Sequence, residues 1–380
     1  MHTSLHYFAP GAGWNRSLET GMDDPQTLAL VFGNPELSDI SQALAEINAV
    51  FGRSNVIGCS TSGEIFAEEL CEGGVALALI QFEKTRLMVA SASVSDSDGS
   101  YGAACEIAEQ LHADDLKGVF VLSDGLMVNG SELVRGFNEV LLNDVVVTGG
   151  LAGDGDRFER TWTMMGEAIR ERQVAAVGLY GDHVSIRHGS KGGWDIFGLE
   201  RMVTQSEGNV LFELDGKPAL ELYKNYLGER AKGLPATGLL FPLALRGDEQ
   251  PTEERVVRTI LAVNEEDQSI TFAGDIPEGS MTALMRANFD RLITGAAEAG
   301  EQAKLSDGAV GDVLSIAISC VGRRLVLGER TEEEIEATLD VLPDNTKQIG
   351  FYSYGELSPL VNGVCDLHNQ TMTLTVIHET

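Results

Sequence analysis

The sequence predicts an α/β protein of two layered domains with mixed sheets, and it suggests that an internal duplication relates them. Two observations carry this expectation. An apolar run at Val119-Phe120-Val121-Leu122 is followed by a Ser123-Asp124-Gly125 loop, a helix over Ser131 to Leu142 and a second run at Val145-Val146-Val147. The same order returns late in the chain, as a strand over Val313 to Ser319, a loop at Cys320-Val321-Gly322-Arg323, a helix over Thr331 to Leu342 and a strand over Ile349 to Ser353. A strand–helix–strand unit of this length implies parallel strands joined by a crossover, with ligands beyond the carboxyl ends of the strands. That geometry would bring Ser123, Asp124, Gly149 and Gly150 to one rim beside Cys59 and Ser60.

The elements follow in order. Thr27 to Gly33 reads as a buried strand, and Ser38 as the cap of a helix reaching Phe51 with Ile40, Leu44, Ile47 and Phe51 on one face. Val56-Ile57 is a strand leading into Gly58-Cys59-Ser60-Thr61-Ser62-Gly63-Glu64. Val75 to Phe82 and Arg86 to Val94 read as the arms of a hairpin, and Gly99 and Ser100 open a helix ending near Leu111. Gly149 to Gly155 reads as a glycine-rich loop. Short strands then cover Thr161 to Met165, Ala168 to Arg170, Val174 to Tyr180 and Val184 to Arg187, and Gly189 to Gly193 breaks the pattern. A strand over Leu199 to Thr204 precedes a helix opened by Pro218. A domain boundary is expected near this helix, dividing the chain into 1–206 and 207–380. In the second half, a strand over Leu239 to Leu245, a hairpin of Arg255 to Val263 with Ser269 to Phe272, and a long helix over Ala283 to Leu305 precede the repeated unit.

Composition narrows the partners. With 58 acids against 27 bases the chain carries a formal charge of -31, which repels nucleic acid and anionic lipid. The cysteines (Cys59, Cys71, Cys105, Cys320 and Cys365) form no close pair and no metal-type spacing, so reduced thiols in a cytoplasm are expected. The first ten residues lack the apolar segment of a signal peptide, and no window reaches the roughly 18 apolar residues of a membrane span. A homo-oligomer is left open.

The Gly58–Glu64 stretch has the two glycines of a phosphate-binding loop, but Glu64 stands where that motif needs lysine. A carboxylate there repels phosphate and suits a cation or an ammonium group. Gly350-Phe351-Tyr352-Ser353-Tyr354-Gly355-Glu356 repeats the spacing. Glu64 and Glu356 either hold an ammonium or cap the turns they follow. Ser60, Thr61 and Ser62 offer hydroxyls to a carboxylate or to their own backbone. Cys59 and Cys320 end strands without a histidine placed beside them, so close packing is the better reading of each than nucleophilic chemistry. Arg258 and Arg323 are the cations for a ligand carboxylate, with pairing to protein acids as their alternative. Asp124 either defines its turn or serves a ligand.

Six stretches taken together resemble the FIST family of bacterial sensory domains, with its FIST N and FIST C segments. They are Gly58–Glu64, Thr148-Gly-Gly-Leu-Ala-Gly-Asp154, Glu213-Leu-Asp-Gly-Lys-Pro-Ala219, Phe241-Pro242, Ser319-Cys-Val-Gly-Arg323 and Gly350–Glu356. The resemblance implies a non-enzymatic sensor of a small molecule or gas, and no output segment is expected within the chain. It is similar in this to the nitric-oxide-sensing haem proteins of the family, the NosP type, which act on a separate histidine kinase. Haem would need an axial ligand, for which His188 and His368 are the candidates, and no Cys-x-x-Cys-His motif attaches it covalently. Three readings therefore stand: a haem-bound nitric oxide sensor, an amino-acid-like ligand sensor without haem, and, last, a cysteine-dependent enzyme.

Overall fold

A computed structural model describes residues 1–95, 99–141, 144–246, 255–305, 311–360 and 362–380. The repeat seen in the sequence occurs three times, not two, and the three copies close into a ring. Each unit is a four-stranded sheet with one parallel pair. In the first, Asn55–Ser60, Thr27–Gly33, Val75–Gln81 and His2–Ala9 lie side by side in that order. The second has Val146–Leu151, Leu116–Ser123, Gln173–Tyr180 and Arg86–Ser93. The third has Thr346–Ser353, Val313–Cys320, Met372–Glu379 and Val184–Lys191. The parallel pair is the first two strands each time. Helices span the crossovers, as Leu37–Val50, as Gly130–Val140, and as Val321–Leu327 with Thr331–Leu339.

Between its third-listed strand and its parallel pair, each unit extends a hairpin that joins the sheet of a neighbour. Glu64–Phe66 of unit one pairs with Thr346–Ser353 of unit three, Thr163–Met165 of unit two pairs with Asn55–Ser60 of unit one, and Gly355–Pro359 of unit three pairs with Val146–Leu151 of unit two. The exchange is cyclic, so no unit has a complete sheet without another. At the centre three backbone hydrogen bonds repeat the cycle: Ser62 N–H to the Tyr352 carbonyl (2.8 Å), Gly153 N–H to Ser60 (3.1 Å) and Tyr354 N–H to Leu151 (3.2 Å).

The inner faces of the three sheets share one apolar core, in which Phe32, Ile57, Phe120, Leu122, Ile316, Phe351 and Ile377 come from all three units. The Phe32 and Phe351 rings lie 4.7 Å apart. Burying each such side chain contributes about 1.5–3 kcal/mol. This shared core explains the all-apolar strands, because both faces of each sheet are covered, one by the core and one by helices. It also explains the glycines. A Cβ on Gly58, Gly149 or Gly350 would lie 2.4, 1.9 or 1.7 Å from the carbonyl oxygen of Val31, Val121 or Ala317 on the parallel partner strand.

Nine strands from Asp195–Ile196 to Met281–Arg286 form a further sheet, inserted into unit three between Val184–Lys191 and the helix Phe289–Ala303. The expected boundary at 206/207 falls at the end of its Arg201–Glu207 strand.

Several expectations are corrected. Val75–Gln81 and Arg86–Ser93 are not hairpin partners; they turn away from each other into the sheets of units one and two. Ser38 caps nothing, since the Leu37–Val50 helix begins at Glu36 without a side-chain cap. Gly149, Gly150 and Leu151 are strand, and the loop starts at Ala152. Residues 283–286 belong to the strand Met281–Arg286, and Asn288 caps the helix that follows. Pairing with Leu243–Arg246 there outweighs the helix propensity of Ala-Leu-Met-Arg. Of the expected loop Cys320-Val321-Gly322-Arg323, Cys320 ends the strand and the other three open the helix Val321–Leu327, and Val184–Lys191 runs through Gly189. The expected end of the unit-two crossover helix, Leu142, lies outside the described residues.

Candidate functional site

The ends of the ring's loops meet beside the parallel pair of unit one. There a cleft of about 210 Å³ is walled by the Thr61–Glu64 turn of unit one, residues 154–157 of unit two and Arg324 of unit three, with Asn34 and Glu72 at its sides. At about 30 Å³ per water it holds roughly seven waters, room for a ligand of a few heavy atoms. Its walls are mostly polar and carry both signs of charge.

The turn is held by its own hydroxyls. Thr61 Oγ1 donates to Glu64 Oε1 at 2.5 Å and accepts from Gly63 N–H at 3.2 Å, while Ser62 Oγ accepts from Gly155 N–H at 2.9 Å. Ser60 Oγ accepts from Trp162 N–H at 3.1 Å. Each hydroxyl thus accepts from a backbone N–H, that of Thr61 within its own turn and those of Ser60 and Ser62 from unit two. Burial pushes the Glu64 carboxyl up to about 8, against the hydrogen bonds of Thr61 and Gly74 and the charge of Arg324.

Opposite stands Asp154, which the sequence placed only within a family motif. Its carboxylate accepts from the amides of Phe158 (2.9 Å), Glu159 (2.9 Å) and Arg160 (2.8 Å), and from the Tyr354 hydroxyl. Tyr354 also stacks on Phe158, with ring centroids 4.5 Å apart. Asp154 is therefore an organiser of the 154–160 loop, with Tyr354 of unit three as its outer brace. Arg157 reaches from this loop to Glu36 at 2.9 Å.

The arginine at the cleft is Arg324, not Arg323. Successive helical residues point about 100° apart, so only one can face the loops. Arg324 donates to the Ser62 carbonyl and to Glu72. Arg323 turns inward, fully buried, and binds Glu334 through Nε at 3.0 Å and Nη2 at 2.7 Å. Glu334 in turn accepts from Ser319 and Tyr352 at 3.0 and 2.8 Å. Arg258 is likewise buried, giving its N–H groups to the carbonyls of Asp275, Val257 and Leu367 at 3.0–3.2 Å. Neither is free for a ligand carboxylate.

The remaining candidates sit elsewhere. Asp124 accepts from the amides of Leu126, Met127 and Arg172 at 2.7–3.0 Å, a turn that ties unit two to its own hairpin. Gly149 and Gly150 lie within the strand, Gly150 against Ile318 and Phe351. Gly355 and Glu356 open the unit-three hairpin, where Glu356 is fully buried; burial pushes it up to about 8 against the hydroxyls of Ser353 and Thr371. Cys59 lies in the shared core and its thiol is pushed well up by burial; that of Cys320 is pushed up to about 12 by burial and by the Glu356 charge. Neither is an activated nucleophile.

His368 has no nitrogen for an iron. Its Nε2 lies 3.0 Å from the Ser358 carbonyl and its Nδ1 3.4 Å from Ser190 Oγ, and burial lowers its pKa. His188 sits half-buried on the outer strand of unit three, its pKa lowered by burial, then by His368 and Arg187. An axial haem ligand needs a free nitrogen facing an apolar chamber. His368, with both nitrogens engaged, does not meet that need. Among the described residues no cluster of metal-ligating side chains occurs, and no helix is long and apolar enough to cross a membrane.

Comparison with known proteins gives two matches to family models, the FIST N domain over residues 27–217 and the FIST C domain over 219–359. The strands His2–Ala9 and Met372–Glu379 lie beyond both matches, yet the first flanks Val75–Gln81 in unit one and the second stands between Val184–Lys191 and Val313–Cys320 in unit three. An uncharacterized protein of Methanocaldococcus jannaschii, MJ1623, is 24% identical over 366 residues, covering 86% of this chain and 68% of its own. A crystal structure of a cyanuric acid hydrolase from A. caulinodans spans 100% of this chain and 99% of its own at 10% identity, with a TM-score of 0.38, too low to bear on fold or chemistry. The chain belongs to the FIST family, whose domains are sensory and bind small ligands in signalling.

Proposed function

We propose that this FIST protein senses a small polar molecule carrying both signs of charge, of the amino-acid kind, held in the cleft among Thr61–Glu64, residues 154–157 and Arg324. The observation that carries the reading is that the cleft is walled by all three units. A ligand there bridges the loops whose backbone bonds close the ring, so occupancy acts on the relation between units. Glu64, Glu72 and Asp156 suit an ammonium group, while Arg324 and Arg157 suit a carboxylate. The signal would pass to a separate protein, a histidine kinase being the partner that the family resemblance implies.

The test is a thermal-shift screen of amino acids, run beside an absorption spectrum of protein expressed with haem supplied. A ligand at a hundred times its Kd adds about 2.7 kcal/mol to the native state, a rise of a few degrees in Tm. Arg324→Met should lose that rise. A Soret band that shifts with nitric oxide would replace this reading with the haem one. A featureless spectrum together with a ligand-dependent Tm supports it.

A further inference from the structure

The ring's pseudo-symmetry makes position 64 comparable with two others. Glu64 pairs with Phe351, Glu356 with Gly150 and Thr163 with Cys59, each partner being the residue after one of the close-packed glycines Gly350, Gly149 and Gly58. Two of the three hairpins thus begin with a buried acid, and their surroundings differ. Glu356 is saturated: Ser353 Oγ donates to Oε1 at 2.7 Å, and Thr371 donates to Oε2 through Oγ1 at 2.8 Å and N–H at 3.3 Å. At Glu64, Thr61 serves Oε1, but Oε2 has only a long 3.4 Å bond from Gly74 N–H, and Glu64, though buried, is among the residues that line the cleft. Its rim has acids at Glu72 and Asp156, and among the described residues no cation lies within ion-pair distance of Glu64. Arg324 directs one N–H of Nη1 to the Ser62 carbonyl and one of Nη2 to Glu72 rather than to Glu64.

From this we infer that the cleft receives its ligand through a primary ammonium group set against Glu64 Oε2, and that binding expels the Glu64 proton to solvent. The inference rests on the reading of the cleft given above. In the free protein Glu64 is a neutral acid at pH 7, since burial pushes it up to about 8. The titratable and charged groups facing it are Tyr7 from the first strand, Cys71 and Glu72 from its own hairpin and Arg324 from the unit-three helix. Burial, then the Glu64 charge, raises the Tyr7 hydroxyl, and burial raises Cys71 to about 11, so neither supplies a charge at neutral pH. An ammonium within about 4 Å reverses the balance and favours the carboxylate. The step conserves charge: the ammonium keeps its three protons, Glu64 gives up one, and an ion pair forms. Ligand affinity then rises about tenfold per pH unit below 8 and levels above it, where the carboxyl is already ionised.

The experiment is titration with glycine, methylammonium chloride and sodium acetate, with proton release followed in weakly buffered solution at pH 7 and pH 9. The expected result is close to one proton per bound glycine at pH 7 and little at pH 9. Methylammonium should compete with glycine and acetate should not. Glu64→Gln keeps one acceptor oxygen, for Gly74 N–H, with its NH2 facing a Thr61 hydroxyl that can turn to accept, and should abolish the release. Glycine binding without proton release at pH 7 would overturn this inference and leave the small-ligand reading standing, as would competition by acetate alone. Failure of both glycine and methylammonium to bind would overturn the two together.

Discussion

Replacing Glu356 by glutamine should flatten the pH dependence of stability. Glu356 is fully buried, and its carboxyl moves from an ordinary 4.5 to about 8 on folding. At about 1.36 kcal/mol for each pH unit, that displacement makes ionised Glu356 cost up to about 5 kcal/mol. The sign follows from proton counting: between pH 4.5 and 8 the native state holds a proton that the unfolded chain has released. Stability from this group is therefore full below pH 4.5, falls as pH rises through 8, and then levels. Between pH 6 and pH 9 the loss is about 3 kcal/mol. Glutamine mimics the neutral acid and can keep partners in Ser353 and Thr371, whose hydroxyls rotate to suit. Urea unfolding followed by circular dichroism, at pH 6 and at pH 9, measures the difference between wild type and Glu356→Gln; contributions of all other groups cancel. The wild type should lose about 3 kcal/mol more than the variant over that interval. Equal losses would mean that Glu356 is ionised throughout, and the account of its burial would fail.

The cyclic exchange of hairpins predicts that the chain does not divide. Fragments 1–217 and 219–380 should each be unfolded by circular dichroism, and should regain a native-like spectrum only when co-expressed. At Gly149, where φ is +147° and a Cβ would lie 1.9 Å from the Val121 carbonyl, alanine should cost at least about 2 kcal/mol in urea unfolding. The same change at Gly155, with φ +81° but open space around it, should cost only about 1 kcal/mol. Iodoacetamide at pH 8, read by mass spectrometry, should label native Cys105 and Cys71 before any of the buried Cys59, Cys320 and Cys365. Rapid labelling of Cys59 or Cys320 would reopen thiol chemistry.

The sequence by itself determined the local units. Apolar runs such as Thr27–Gly33 and Gln173–Tyr180 are legible because both faces of their sheets are buried, and the Ile40, Leu44, Ile47, Phe51 stripe is legible because a helix has one covered face. The glycine motifs were visible too, since a close approach of strands leaves no other choice of residue. Tertiary structure alone decided which strands meet. Val75–Gln81 and Arg86–Ser93 have the spacing of a hairpin, but no local signal tells a chain that turns back from one that enters another sheet. The unit-two counterpart of the glycine–acid motif was hidden because Thr163 replaces the acid of the other hairpins and a loop of seven residues separates it from Gly155. The cleft was hidden for a related reason. Arg323 and Arg324 are chemically alike in sequence, and only the rotation of one short helix sends the first to Glu334 and the second to the loops. Position along a chain specifies secondary structure through short-range sterics and burial pattern, whereas the groups that meet at the cleft, such as Arg324 with Ser62 and Glu72, are brought together from more than two hundred positions apart.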